Sequence, residues 1–235
     1  MSLLLQLKRE MRALGNKQKA VILARFFKTG KGEYGEGDQF LGITVPVSRS
    51  IAKKYKELHF SDIKELLTSE VHEERLVALL ILVHNFTFGD ENRKREIYNY
   101  YLTHAKFINN WDLIDLTAEK IVGEFLLGKS IEVLEKLATS DNLWERRIAI
   151  ISTYQFIKNN RFEETFKIAK ILISDKHDLI HKAVGWMLRE VGKRSLVVEK
   201  NFLKKYYRRM PRTMLRYAIE RFPIDLRKAY LSGVM

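Results

Sequence analysis

The chain has 235 residues, no cysteine and a formal net charge of +13, from 42 Lys and Arg against 29 Asp and Glu. Disulfides and thiolate metal sites are therefore excluded, a reducing compartment fits, and an anionic partner is favoured, with nucleic acid ahead of a membrane surface. With 46% hydrophobic and 30% charged residues, the composition is that of a globular protein able to bury a sizeable core.

Taken in chain order, MSLLLQLKREMRALG (1–15) holds a short apolar run that soon becomes charged, so an amphipathic helix is expected rather than a signal peptide. No segment approaches about eighteen consecutive apolar residues, so no membrane span is expected and a cytoplasmic protein is the default. Lys28 to Thr44, KTGKGEYGEGDQFLGIT, is glycine-rich and predicts a flexible loop or small hairpin. Gly30, Gly32 and Gly35 match a dinucleotide fingerprint in spacing, but VILARFF before them reads as helix and no helix opens after them. Bare glycine backbone suits the approach of a phosphate, and a plain connector fits equally. Ser61 reads as an N-cap ahead of Asp62-Ile63-Lys64-Glu65. His72-Glu73-Glu74-Arg75-Leu76 lacks the second histidine of a zinc helix, and the six histidines form no ligand-like cluster, so neither metal nor cofactor is expected. Asp141, ahead of Leu143 and Trp144, is a second candidate N-cap.

Only three prolines occur (Pro46, Pro211, Pro223), and apolar residues recur at three- and four-residue spacing nearly throughout. An all-α protein of about a dozen helices follows. Arg75, Trp111, Arg147 and Lys182 fall 36, 36 and 35 residues apart, each near the start of an apolar helix. That period predicts a single domain over 1–235, a curved solenoid of HEAT-like antiparallel helix pairs whose concave face suits a long ligand.

Within it, Trp111 and Asp115 are four apart and share a helical face. Trp144-Glu145-Arg146-Arg147 follows one period later. Lys182, Trp186 and Arg189 share a face one period after that. Rings interleaved with cations suit nucleic acid, since sugars and bases pack on aromatics while cations hold phosphates. Each member also has a duller reading: a core tryptophan, a solvated arginine, or an Asp115 that merely pairs with Arg147. A carboxylate on the working face of so basic a chain makes sense only if chemistry needs it there.

At these residues the chain resembles the AlkD-like DNA alkylation-repair family, base-excision glycosylases built from HEAT-like repeats. The matching pieces are FLGI (40–43) with Pro46 and Arg49, NNWDLID (109–115), SDNLWERRIAI (140–150) and HKAVGWMLREVGK (181–193). The resemblance places the family's functional tryptophan and aspartate on Trp111 and Asp115, its arginine on Arg147 and a further tryptophan on Trp186. A family tyrosine falls on Phe26, which keeps the ring and loses the hydroxyl, and the glycine-rich loop is longer than in compact members.

The resemblance implies a monofunctional DNA glycosylase that excises cationic N3- or N7-alkylated purines from double-stranded DNA. It would act as a monomer, without cofactor, metal or membrane, in the cytoplasm and at the nucleoid when bound. Asp115, Trp111 and Trp186 would be catalytic. Arg147, Lys182, Arg189, Arg146 and Phe26 would contact DNA. A carboxylate about 4 Å from developing sugar charge, at an effective dielectric near 20, contributes roughly 4 kcal/mol. That is about a thousandfold in rate, enough only for a labile lesion. Related proteins include DNA binders without glycosylase activity, so a non-catalytic binder of bent, branched or damaged DNA is the alternative, ahead of a protein-interaction scaffold.

Overall fold

A computed structural model describes residues 1–235. It is all-helical, with sixteen α-helices, several short 3-10 and π turns, and an isolated bridge pairing Gln39 with Val71. The helices pack into two compact units, Met1–Leu113 and Ile114–Met235.

The first unit holds α1 (Leu3–Ala13), α2 (Lys17–Phe26), α3 (Val45–Lys54), α4 (Phe60–Leu67), α5 (His72–Phe88) and α6 (Glu91–Thr103). Its centre is α5, on which α3, α4 and α6 pack. Every residue from His72 to Leu82 is buried: four polar and charged side chains, His72 to Arg75, open the helix, and a continuous apolar run, Leu76 to Leu82, follows in place of a one-sided stripe. The helix α7 (Trp111–Asp115) follows, with Trp111 at its first residue and Asp115 at its last. The unit boundary falls inside it, between Leu113 and Ile114.

The second unit continues through a π turn (Glu119–Gly123) into α8 (Glu124–Leu126), α9 (Glu132–Ala138), α10 (Leu143–Ser152), α11 (Tyr154–Lys158) and α12 (Glu163–Leu172). It closes with α13 (Asp178–Arg194), α14 (Leu196–Tyr206), α15 (Arg212–Ala218) and α16 (Ile224–Ser232). Here α13 is central and touches α10, α12, α14 and α15. Gly185 lets α15 approach closely, because a Cβ there would collide with the Met214 carbonyl oxygen and the Tyr217 side chain.

Two cap expectations need correction. Helix α4 starts at Phe60, so Ser61 lies inside it and His59 is its N-cap residue. The cap of α10 is Asn142, not Asp141, and its side chain accepts from the Trp144 amide at 2.8 Å.

Glu199 in α14 is 1% exposed, one of its carboxylate oxygens is unpartnered, and it lies against Gly192 where any Cβ would strike it. Burial pushes its pKa up to about 8, against the opposing charge of Arg189. A carboxyl raised in the fold binds its proton more tightly there than when unfolded. Its contribution is therefore complete below the unfolded value of 4.5 and is lost as pH rises towards 8. Glu199→Gln keeps the shape without the charge. It is expected to gain about 2–4 kcal/mol of stability over wild type between pH 5 and pH 8. Thermal melts at the two pH values read this directly, and a constant difference between the proteins would contradict it.

Candidate active site

In the first unit an aromatic patch surrounds Trp111. The Phe27 ring stacks on it at 5.1 Å, and Phe26 meets it edge-on at 5.7 Å. Phe26, the last residue of α2, is 61% exposed, so its ring is presented to solvent rather than buried. Its neighbours in sequence, Arg25 and Lys28, are exposed cations. The indole N–H of Trp111 donates to the Tyr34 hydroxyl at 3.2 Å. Tyr34 belongs to the glycine-rich segment, which forms turns rather than a hairpin and follows α2 with no strand before it.

Beneath the patch lies a buried polar chain. Phe27 and Phe40 cover the His72 ring at 4.9 and 4.7 Å. Its Nε2 lies 2.9 Å from Asp112 Oδ2, and its Nδ1 lies 3.1 Å from Asp38 Oδ2. Arg75 approaches the other Asp38 oxygen at 2.7 Å and donates to the Ser69 carbonyl at 2.7 Å. The Asn110 side chain caps the start of α7 by accepting from the Trp111 amide at 2.8 Å, and reaches towards Asp38 at 3.4 Å.

Burial alone would lower the pKa of His72, but hydrogen bonds to Asp112 and Asp38 outweigh it and raise the pKa above the usual value. Burial would likewise raise Asp38, yet the His72 hydrogen bond and the Arg75 charge hold it below the carboxylate range. When protonated, His72 can donate to both carboxylates at once. By linkage this stabilisation is complete below the unfolded histidine pKa and is lost as pH rises through the raised folded one.

Glu73, next along α5, accepts from the amides of Leu41, Gly42 and Ile43 at 3.0, 2.8 and 3.2 Å. Gly42 has φ +82° and packs on the Asn16 carbonyl, which leaves no room for a side chain. The FLGI motif is therefore a backbone clasp.

In the second unit Arg147 grips Asp115 with both arms. Its Nε donates to Oδ1 at 2.9 Å, one terminal nitrogen donates to Oδ2 at 2.8 Å, and the other donates to the Leu179 carbonyl at 2.6 Å. Asp115 keeps 15% of its side chain exposed, whereas Arg147 is 5% exposed. Arg146 is half-buried and bonds Asp175 at 2.7 Å and the carbonyls of Ser140 and Asp141, both at 2.9 Å. In this structure Arg146 and Arg147 thus both have acceptors within the protein, Asp175 with two carbonyls for the first and Asp115 with the Leu179 carbonyl for the second. Arg189 is directed at Glu220 and lies 3.9 Å from Glu190. Lys182 pairs with Asp178 at 2.6 Å, one turn away on the partly exposed start of α13. Trp186 is half-buried beside Tyr154 at 6.2 Å, and its indole donates to Glu190 at 3.0 Å. The third tryptophan, Trp144, is buried.

The sequence reading missed Tyr34, His72, Asp38 and Asp112 as a connected group. Their partners lie 34 to 77 residues away, and no local pattern announces such pairs. No group of three or more His, Cys, Asp or Glu side chains is placed to hold a metal ion, and no helix is long and apolar enough to cross a membrane.

A family model described as DNA alkylation repair enzyme matches residues 7–222. A solved structure described as a predicted DNA alkylation repair enzyme from Enterococcus faecalis is 16% identical with a TM-score of 0.67, over 89% of this chain and 97% of that one. AlkD2 from Streptococcus mutans is 18% identical with a TM-score of 0.56, over 87% and 97%. The protein smu.31 from Streptococcus mutans UA159 is 18% identical with a TM-score of 0.55, over 95% and 99%. At these identities the likeness is one of fold. No curated protein sequence matches.

Proposed function

Because the chain belongs to the DNA alkylation repair enzyme family, we propose that it is a monofunctional DNA glycosylase that releases cationic N3- or N7-alkylated purines from duplex DNA. The observation that carries this reading is the Arg147–Asp115 pair. It holds a partly exposed carboxylate in one orientation within a strongly basic chain.

The reaction needs little help. The alkylated base already carries the positive charge that makes it a good leaving group. As the N-glycosidic bond breaks, that charge passes to the deoxyribose. Asp115 stabilises it and orients the water that adds to C1′, with Arg147 as its positioning residue. The pairing also sets a limit. A sugar cation about 4 Å from the carboxylate and about 8 Å from the guanidinium gains roughly 2 kcal/mol at an effective dielectric of 20, half the unpaired figure. About thirtyfold in rate then comes from this carboxylate, which confines the enzyme to bases that already leave readily. Trp111 with Phe26, and Trp186, supply ring surface for sugar and backbone. Lys182 and the exposed cations Arg25 and Lys28 serve the phosphates. The protein works as a cytoplasmic monomer that meets its substrate at the nucleoid.

The internal neutralisation of Asp115 also favours a second reading, a non-catalytic binder of bent, branched or damaged DNA. Single-turnover release of 7-methylguanine from a defined duplex by wild type and Asp115→Asn separates the two. Release by wild type alone supports the glycosylase. Salt-sensitive binding by both proteins without release supports the binder.

A further inference from the structure

The glycine-rich segment between α2 and α3 is long for a connector between two helices, and beyond Lys28 nothing in the proposed function uses it. Its glycines let it turn sharply, with Gly32 and Gly37 at φ +79° and +87° and open space around both. Glu33 and Glu36 accept from its own amides at Gly30 and Gly32 at 2.9 and 2.7 Å, so these acids brace the turns.

At its far end the segment is pinned three ways. Asp38 takes the Nδ1 side of His72, Gln39 exchanges backbone hydrogen bonds with Glu70 and His72 at 2.9 and 2.8 Å, and Glu73 clasps residues 41–43. A wandering connector needs none of these. The groups facing His72 come from three elements: Asp38 from the loop, Asp112 from α7, and Arg75 from α5 itself. The same imidazole ring therefore ties the loop to the helix that carries Trp111. The loop lays the hydroxyl of the half-buried Tyr34 on the Trp111 indole, against which the exposed Phe26 ring, with no polar atom, packs edge-on.

We infer, building on the DNA-directed function proposed above, that this loop is a recognition arm: Tyr34 contacts the bound duplex beside Trp111, and His72, locked between Asp38 and Asp112, is the positioning residue that seats the arm. Tyr34 brings a polar hydroxyl to the Trp111 edge of the patch, where Phe26 provides only a ring face. Lys28 and Lys31, exposed at the start of the same loop, add attraction for phosphates.

The test uses the full-length protein, a duplex carrying one 7-methylguanine, and the same duplex undamaged. The Trp111 indole N–H resonance is followed in the free protein, and duplex affinity is measured in parallel. Tyr34→Phe removes the acceptor and is expected to move that resonance and weaken binding of the damaged duplex about five- to tenfold. His72→Gln is expected to reproduce both changes although His72 touches no DNA. Asp38→Asn, which keeps a hydrogen-bonding group, should give a smaller version of each and serves if His72→Gln does not fold. The inference is overturned if Tyr34→Phe and Tyr34→Ala bind within twofold of wild type. It is also overturned if folded His72→Gln or Asp38→Asn leaves the indole resonance unmoved. Failure of the glycosylase reading looks different: wild type binds the duplex but releases no base, and the arm stands. A wild type that binds no duplex removes both readings.

Discussion

Asp115→Asn is expected to slow single-turnover release of 7-methylguanine by at least about thirtyfold while duplex affinity stays equal or rises. The change removes the negative charge and leaves an oxygen that still accepts from Arg147. Orientation is thus largely kept while the electrostatic effect disappears. Affinity should not fall, because a carboxylate repels phosphates. The variant should also be less stable, by about 1–3 kcal/mol, since Arg147 is buried and loses its counter-charge. Rates must therefore be compared well below its melting temperature. Arg147→Lys probes the other half of the pair. A lysine keeps the charge but cannot hold both carboxylate oxygens at once, so the rate should drop with only a modest loss of stability. Binding and release that fall together in Asp115→Asn would remove Asp115 from the chemistry.

Glu73→Ala is expected to be the most destabilising single change in the first unit. The carboxylate is 2% exposed and accepts from three consecutive backbone amides. Truncation strands those donors where water has little access, at about 1–3 kcal/mol each. The sum, roughly 3–6 kcal/mol after partial relaxation, is a large share of the stability of an ordinary domain. Glu73→Gln retains one acceptor oxygen, turns a donor towards the amides and should cost about half as much. Urea unfolding at neutral pH measures both. A loss below about 1 kcal/mol for Glu73→Ala would mean that the clasp is held by backbone packing at Gly42 rather than by the carboxylate.

The helical class was legible because apolar spacing is a local signal, and α5, α10 and α13 carry it at the repeated positions around Arg75, Arg147 and Lys182. Caps were less legible. Asn142 rather than Asp141, and His59 rather than Ser61, are decided by backbone geometry at one residue, where several side chains would serve equally. At the site, the face shared by Trp111 and Asp115 followed from four-residue spacing. The pairing of Asp115 with Arg147 could be read only as one of two options, because a buried bidentate arginine and a phosphate-seeking one have the same sequence. The His72 cluster was invisible for a different reason. The segment HEER lacks the second histidine of a metal motif, and its residues serve distant parts of the chain instead: His72 and Arg75 converge on Asp38, Glu73 holds the amides of residues 41–43, and Glu74 lies 3.7 Å from Lys8.

The clasp and the bridged histidine also bear on the order in which the protein assembles. In the second unit, neighbouring helices such as α9 with α10 and α12 with α13 meet across short connections, so their contacts form with little loop-closure entropy. In the first unit, Glu73 and His72 must wait until chain 30 to 40 residues away has come into place. Pulse-labelling of amides during refolding should therefore find Leu41, Gly42 and Ile43 protected after the central turns of α10 and α13. The surroundings of Trp111 would be finished last, and any shortage of folding time would be felt there first.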